Sequence, residues 1–426
     1  MRFLHTSDWH VGKTLKGRSR LDEQREVLRE IVQVVRDERV DAVLIAGDLY
    51  DSAAPGAPAQ QLVMGALLAL ADTGAQVIAI AGNHDHAATL DAYRPLAGHA
   101  GITLVGGVRP ADNGGVVRFE ARSTGEPVTV AVLPFVSQRY AVRAAELVSR
   151  TPAENAAGYD QLVRDVLGTL TAEFGADSAA DTVNLVMAHL TVTGGAFGGG
   201  ERAAQSIFEY HVPASIFPAQ AHYVALGHLH RRQSLPAPCP VHYSGAPLAV
   251  DFGEQDNTNV VCLVEASPGL PAKVRDIPIT SGRRLRTVRG TVAELGELSA
   301  QAGDDYLRVW VREPARAGLR DEVLELLPNA LEVRIDPEFA APVTGSRPAS
   351  GPGVERTPGE LFAEFCAEQG VADERVAALF ARLHDRVTGG LGDHEQEGTN
   401  SATRTVAEAT DRGALIEPRR QVRREH

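Results

Sequence analysis

The sequence predicts an α/β protein, and three observations predict it. Apolar runs such as Ala42–Ala46 stop at a glycine followed by a carboxylate, the pattern of a buried parallel strand delivering a polar side chain to a sheet edge. Helix-period segments separate the first three strand-like runs. Further along, the period falls to two and turn residues replace the helices.

Phe3–Thr6 reads as a short strand, followed by a loop carrying Asp8 and His10 and a helix over Leu21–Glu38 whose apolar face is Val27, Leu28, Ile31, Val34 and Val35. Strand Ala42–Ala46, a helix over Ala59–Ala71 and strand Gln76–Ala81 complete a β-α-β-α-β unit. Such a unit is right-handed and layered, and it gathers its ligand-binding loops at the strand C-termini. Between Ile102 and Pro134, runs such as VVRFEAR and VTVAVL alternate, so strands are expected to pair there without helices. A helix near Tyr159–Phe174 follows. Thr182–Ala188 is another buried strand, ending at His189, and Tyr223–Leu226 ends in the same way at GHLH; VHYSGAPLAVDFGE and NVVCLVEA are two more strand-like runs.

These elements make residues 1–280 one domain. LRTVRG, TVAELGEL, DDYLRVWVRE, AGLRDEVLELL and LEVRI alternate strand and helix character, which predicts a small α/β domain over residues 281–340. Residues 341–356 are rich in Pro, Gly and Ser and read as a linker. Thr357-Pro358-Gly359-Glu360 has the form of a capping box and opens a region, 357–387, of two helices carrying Leu361, Phe362 and Phe365, then Val376, Leu379, Phe380 and Leu383. Two isolated helices cannot bury those faces unaided, so a partner surface or self-association is expected. Residues 388–426 are polar and are expected to be disordered.

Composition removes several classes. With 426 residues, 44% of them hydrophobic, the chain can build a sizeable core. The start, MRFLHTSDWH, fits no signal peptide, and the apolar run Leu62–Ala71 is far short of a membrane span. Cys239, Cys262 and Cys366 form no CxxC pair, so a reducing cytoplasm is the expectation. Net charge is −13, against wholesale nucleic-acid binding. One basic cluster, Lys13, Lys16, Arg18 and Arg20, nonetheless follows directly on His10; Lys13, Lys16 and Arg18 are the candidate phosphate contacts, with a solvated loop as the plainer reading. GGAFGGG at Gly194–Gly200 lacks the GK[ST] ending of a phosphate loop, so no ATPase is expected in this chain, and the segment reads as a loop flanking the site.

The chemistry lies in the strand ends. A hydrolytic two-metal site needs oxygen and imidazole ligands around two cations about 4 Å apart, with an anionic group between them. Asp8 and His10 can face one ion, Asp48 can bridge through its two oxygens, Asn83 adds a neutral oxygen, and His189, His228 and His230 add imidazoles. A water held between such ions becomes the nucleophile. His84, beside a ligand, is the candidate catalytic residue, either stabilising charge or protonating the leaving oxygen, with Asp85 to orient it. Asp51 stands behind the ligands or faces substrate, a plain turn carboxylate being as open. Taken singly, Asp48 is more often a cap and His189 a core histidine. Their joint occurrence with the other strand ends is what argues for metal. His5, His86, His99, His211, His222 and His242 lack a paired motif.

In this order DWH, GDLYD, GNHD, AHL and GHLH resemble the calcineurin-like metallophosphoesterases. HTSDWHVGK, GDLYDSAAP, YVALGHLHRRQ and YSGAPLAVDFGE resemble more narrowly its SbcD-type nuclease branch, strongly over residues 1–280 and loosely beyond. The resemblance implies a β-sandwich flanked by helices, a small α/β cap domain and C-terminal helices. It implies one manganese ion on Asp8, His10, Asp48 and His230, a second on Asp48, Asn83, His189 and His228, and His84 at the catalytic position. The implied activity is metal-dependent cleavage of DNA, exonucleolytic on duplex ends and endonucleolytic on hairpins or single strands, in repair, recombination and replication. The implied partner is an SbcC-type ATPase docked through 357–387, in a heterotetramer containing a homodimer of this chain. A phosphodiesterase for a small-molecule or cyclic-nucleotide diester, or an inactive scaffold on the same fold, are the alternatives; net acidity favours the first, and the second is disfavoured because no ligand position is lost.

Overall fold

The computed structural model describes residues 1–137, 152–174, 181–201 and 211–339, with Phe362, Cys366, Val376 and Phe380 as single helical positions beyond them. The chain divides into two compact units, Met1–Pro342 and Val343–His426. The linker, most of the two expected C-terminal helices with their capping box, and the expected tail lie outside the described residues. Within the second unit the rings of Phe362 and Phe380 stack at 4.0 Å.

Two six-stranded sheets organise the first unit. The first contains β1 (Arg2–Thr6), β2 (Ala42–Ile45), β3 (Gln76–Ile80) and β4 (Ile102–Val105). The second contains β5 (Val116–Glu120), β6 (Pro127–Leu133), β7 (Val183–His189), β8 (Tyr223–Gly227), β9 (Gln233–Leu235) and β10 (Val241–Tyr243). β11 (Val260–Ser267) and β12 (Leu270–Pro278) return to the first sheet. The orders are β12-β11-β1-β2-β3-β4 and β9-β10-β8-β7-β6-β5. Strands β1 to β4 are mutually parallel, as are β6, β7, β8 and β10.

Continuous apolar runs are what two covered faces demand, and β2 is buried at every residue. Phe3, Leu44, Ile78 and Ile80 of the first sheet meet Val130, Leu185, Met187 and Tyr223 of the second in the sandwich interior. Each such side chain contributes about 1.5–3 kcal/mol by leaving water. Helices α1 (Leu21–Glu38), α2 (Ala57–Ala71) and α3 (Ala87–His99) cover the outer face of the first sheet, and α4 (Pro152–Leu170) covers that of the second. α1 has its predicted bounds and buries Val27, Leu28, Ile31, Val32 and Val35.

The two sheets face each other as the sandwich that the family resemblance implies. One omission is corrected. The sequence reading lacked α3: Leu90 and Ala97 are its only buried residues and Pro95 interrupts it, so its apolar period is faint. Through α3, Ile102–Val105 joins the first sheet in parallel, while only Val116–Leu133 forms the helix-free antiparallel pair expected for that stretch.

Residues beyond 284 form a separate three-stranded parallel sheet of β13 (Leu285–Gly290), β14 (Tyr306–Val311) and β15 (Ala330–Ile335), with crossovers α5 (Val292–Ala302) and α6 (Leu319–Leu326). Leu307, Val309 and Val311 pack on Leu295, Leu319 and Val323. Thr291 and Glu294 form a reciprocal capping box that starts α5. This sheet meets the sandwich through Leu285 and Tyr306, which pack with Leu15, Ala249 and Phe252. Glu23 of α1 accepts from the Tyr306 hydroxyl at 3.0 Å and binds buried Arg20 at 2.7 Å.

Candidate metal centre

Parallel strands of both sheets release their chains toward one edge. β1 leads to Asp8 and His10, β2 to Asp48, β3 to Asn83 and His84, β7 ends on His189, and β8 leads to His228 and His230. Backbone bonds lock the loops together: Asp8 N–H donates to Gly47 O and His10 N–H to Asp48 O, both at 3.0 Å. Asp8, His10, Asp48 and His228 all take positive φ, of 54°, 43°, 52° and 103°. Non-glycine residues pay for that conformation, and it is retained where surrounding structure over-determines it. Gly47 and Gly82 make the approach possible. A methyl at Gly47 would collide with the His189 ring, and one at Gly82 with the Asp48 carboxylate.

The side chains form two groups joined at their centre. Donor atoms of Asp8, His10 and His230 lie within 4.8 Å of one another, as do those of Asp48, His189 and His228, and those of His10, Asp48 and His84. All seven residues are buried. Asp48 Oδ1 accepts the His84 backbone N–H at 2.8 Å. Its Oδ2 is the oxygen that faces both groups, 3.7 Å from His10 Nε2 and 3.5 Å from His189 Nε2. Asn83 Oδ1 lies 2.9 Å from His189 Nε2 and 2.7 Å from His228 Nδ1.

The donor set has the chemistry of a cation site. A carbonyl can only accept, so the bond from His189 Nδ1 to Ala46 O at 2.8 Å holds the proton there and turns Nε2 inward. His84 is held likewise, its Nδ1 donating to the Asp51 carbonyl at 2.7 Å. His10 Nε2 faces His230 Nε2 at 3.0 Å, while His10 Nδ1 is buried with no hydrogen-bond partner among the described residues. Lone pairs aimed at one another are unfavourable unless a proton or a metal lies among them. Asp8, His10, Asp48, Asn83, His189, His228 and His230 therefore fit the two-metal group, with His84 beside them.

Electrostatics reflect that crowding. Burial pushes the Asp8 carboxyl up to about 6. His10 falls well below its ordinary value through burial and then through His230, and His228 falls to about 3 through burial and then through His189. Burial works against the Asp48 charge too, but His189, His10 and His84 outweigh it and hold the carboxyl below its usual range. Against burial, Asp48 raises His189 to about 9 and Glu254 raises His230 to about 10.

Several roles differ from expectation. Asp85 does not orient the His84 ring: burial and neighbouring Asp48 raise it to about 7, and its carboxylate accepts the backbone N–H groups of Leu49, Tyr50 and Gly82, bracing the loops after β2 and β3. The Asp51 carboxylate pairs with Lys13 at 3.0 Å, on the lip of the site, while its carbonyl anchors His84. Of the other two candidate phosphate contacts, Lys16 reaches Glu332 of β15 at 3.4 Å and Arg18 lies 5.2 Å over the Tyr306 ring. Both therefore also tie the arm after His10 to the three-stranded sheet. His5 is buried within β1, bonded to the Tyr223 hydroxyl and the Leu226 carbonyl.

Four supporting residues escaped the sequence reading. Ser7 Oγ donates to Asp8 Oδ2 at 2.5 Å, Gln24 Nε2 donates to the His10 carbonyl at 2.9 Å, Glu254 receives His230 Nδ1 at 2.5 Å, and the Phe135 ring stacks on His228. Ser7 and Glu254 lay inside quoted motifs, and nothing local marks either as supporting a ligand.

A model of the calcineurin-like phosphoesterase family matches residues 1–232. The chain belongs to that family. It is 40% identical over 289 residues to the SbcD component of the SbcCD nuclease of Bacillus subtilis, covering 67% of this chain and 71% of the relative. The Rhodobacter capsulatus counterpart is 36% identical over 291 residues, with 66% and 69% covered, and that of Escherichia coli K12 is 28% identical over 301 residues, with 69% and 72% covered. Within the family the chain thus groups with the SbcD proteins, and the calcineurin-like fold class expected from the motifs holds.

Proposed function

We propose that the chain is a two-metal DNA phosphodiesterase, the nuclease subunit of a complex whose ATPase is a separate SbcC-type chain. The position of Asp48 carries this reading: its carboxylate lies between histidines of two different ligand groups, where a bridging ligand would stand. The names of the relatives, each a component of an SbcCD nuclease, support the substrate and partner classes. Asp8, His10, Asp48 and His230 would hold one divalent cation, and Asp48, Asn83, His189 and His228 the other, manganese in our reading. When bound, the pair supplies charge neutralisation at the phosphate and activation of the attacking water.

The protein's own residues then orient and protonate. His84 keeps Nδ1–H on the Asp51 carbonyl, and its Nε2 would carry a proton toward the leaving oxygen or the charge developing on the phosphoryl oxygens. Its ring stands edge-on to His10 at 4.6 Å, beside the ligand cluster. Lys13 on the lip, with Lys16 and Arg18 on the following arm, would contact the phosphate backbone. Region 357–387 would dock the ATPase, and two copies of this chain would sit in the assembly, acting on duplex ends, hairpins and single strands in the cytoplasm.

Purified chain with Mn²⁺ should cleave hairpin and blocked-end duplex DNA, faster with the SbcC-type ATPase and ATP, and should leave a cyclic nucleotide intact. Hydrolysis of the cyclic nucleotide in preference to DNA would establish the small-diester reading. No hydrolysis of any diester would leave a scaffold. Cleavage indifferent to the ATPase would remove the partner from the reading.

A further inference from the structure

His230 is gripped from the side away from the site. Glu254, 1% exposed, ends the turn Phe252–Glu254, which starts with the Asp251 carboxylate accepting Gly253 N–H at 2.9 Å. Glu254 Oε1 receives His230 Nδ1 at 2.5 Å, and Oε2 receives Val250 N–H at 2.7 Å. Both carboxylate oxygens are thus committed, one to the ring and one to the backbone. With Nδ1 so held, the other ring nitrogen is turned to His10 Nε2 at 3.0 Å.

A glycine segment completes the grip. Glu201 accepts the His230 backbone N–H at 2.9 Å and folds back to accept Gly198 N–H at 2.5 Å and Gly199 N–H at 2.7 Å. Gly199 lies flat on the turn, so that a methyl on it would stand 2.7 Å from Gly253 O. A methyl at Gly200 would run into Glu254 Oε1. The end of the Gly194–Gly200 run, which no phosphate-binding role explains, thereby acquires a physical reason.

We propose that Glu254 is a positioning residue for His230, and that Gly200 is the close-approach position that keeps the Glu254–His230 bond in place. This rests on the reading of His230 as a metal ligand. Carboxylates behind ligating imidazoles fix ring orientation and raise ligand basicity.

Full-length chain, stripped with a chelator, is titrated with Mn²⁺ by calorimetry as wild type, Glu254→Gln, Glu254→Leu and Gly200→Ala. In the metal-free proteins the His230 ring is read by proton–nitrogen NMR. A strongly deshielded Nδ1–H is expected in the wild type, weakened in Glu254→Gln and absent in Glu254→Leu and Gly200→Ala. One of two Mn²⁺ affinities should fall about 10–100-fold in Glu254→Leu and Gly200→Ala, and less in Glu254→Gln, with the other unchanged. If the Leu variant does not fold, Gln and Gly200→Ala decide by the same readings. Wild-type affinities at both sites in the folded variants would overturn the proposal alone. A wild type that takes up no Mn²⁺ would overturn the metal reading and the proposal with it.

Discussion

His10 and His230, delivered by strands of different sheets, face each other Nε2 to Nε2 at 3.0 Å. Two buried imidazoles accept that approach with a proton or a metal ion between them. In the metal-free protein Asp48 and Glu254 favour the protonated forms of His189 and His230, raised against burial to about 9 and 10. Ligands must be deprotonated, so Mn²⁺ uptake at pH 7 should release protons and its affinity should rise with pH until those groups have titrated. Calorimetry in buffers of different ionisation enthalpy measures the release, and an enthalpy independent of buffer would contradict it.

Asp48→Asn should weaken both metal positions, because the oxygen facing both groups loses its charge. His10→Ala should chiefly weaken one. For each affected position the expected loss exceeds about 100-fold, the upper end of what partners behind a ligand cost. Metal titration that finds two intact sites in Asp48→Asn would contradict the bridge.

Turnover and metal binding should separate at His84. His84→Ala should retain two Mn²⁺ and lose activity about 10²–10⁴-fold, the range for a general acid. Single-turnover cleavage of a hairpin substrate provides the rate. An unimpaired rate with both metals bound would leave His84 without a catalytic part.

Acid should loosen the attachment of the segment leading to the three-stranded sheet. Burial opposes the Glu30 charge, but the N–H groups of Thr280 and Ser281 hold its carboxyl below the ordinary 4.5; Glu23 is held low likewise, by Arg20 and then Arg283. A carboxyl depressed on folding contributes stability above its unfolded value and loses it as pH falls through its folded one. Melting temperatures of wild type and Glu30→Gln should therefore differ at pH 7 and converge below 4.5. A gap that persists in acid would remove the linkage.

The Lys16–Glu332 pair, solvent-facing at its lysine end, should matter little to stability. Lys16→Gln should change unfolding free energy by less than about 1 kcal/mol. In DNA binding, neutralising Lys13, Lys16 or Arg18 should each flatten the dependence of log affinity on log salt by about 0.9 for every phosphate no longer neutralised. An unchanged slope would take these residues off the DNA path.

Elements whose signal is local were legible from the residues alone. Leu21–Glu38 could be read because its apolar face repeats at helical period, and the polar strand ends because an unbroken apolar run stops at a glycine before a ligand-type residue. The alternation beyond Ser281 likewise anticipated β13 to β15 with their two helices. The faint α3 was lost, since two buried residues make no period. Folding in three dimensions was needed to bring two sheets face to face and to release His10 and His230, 220 positions apart, onto one edge. It also set Asp85 against backbone N–H groups and Glu254 against His230. A carboxylate's partner depends on which strands lie beside it in space, and no local pattern of residues carries that information.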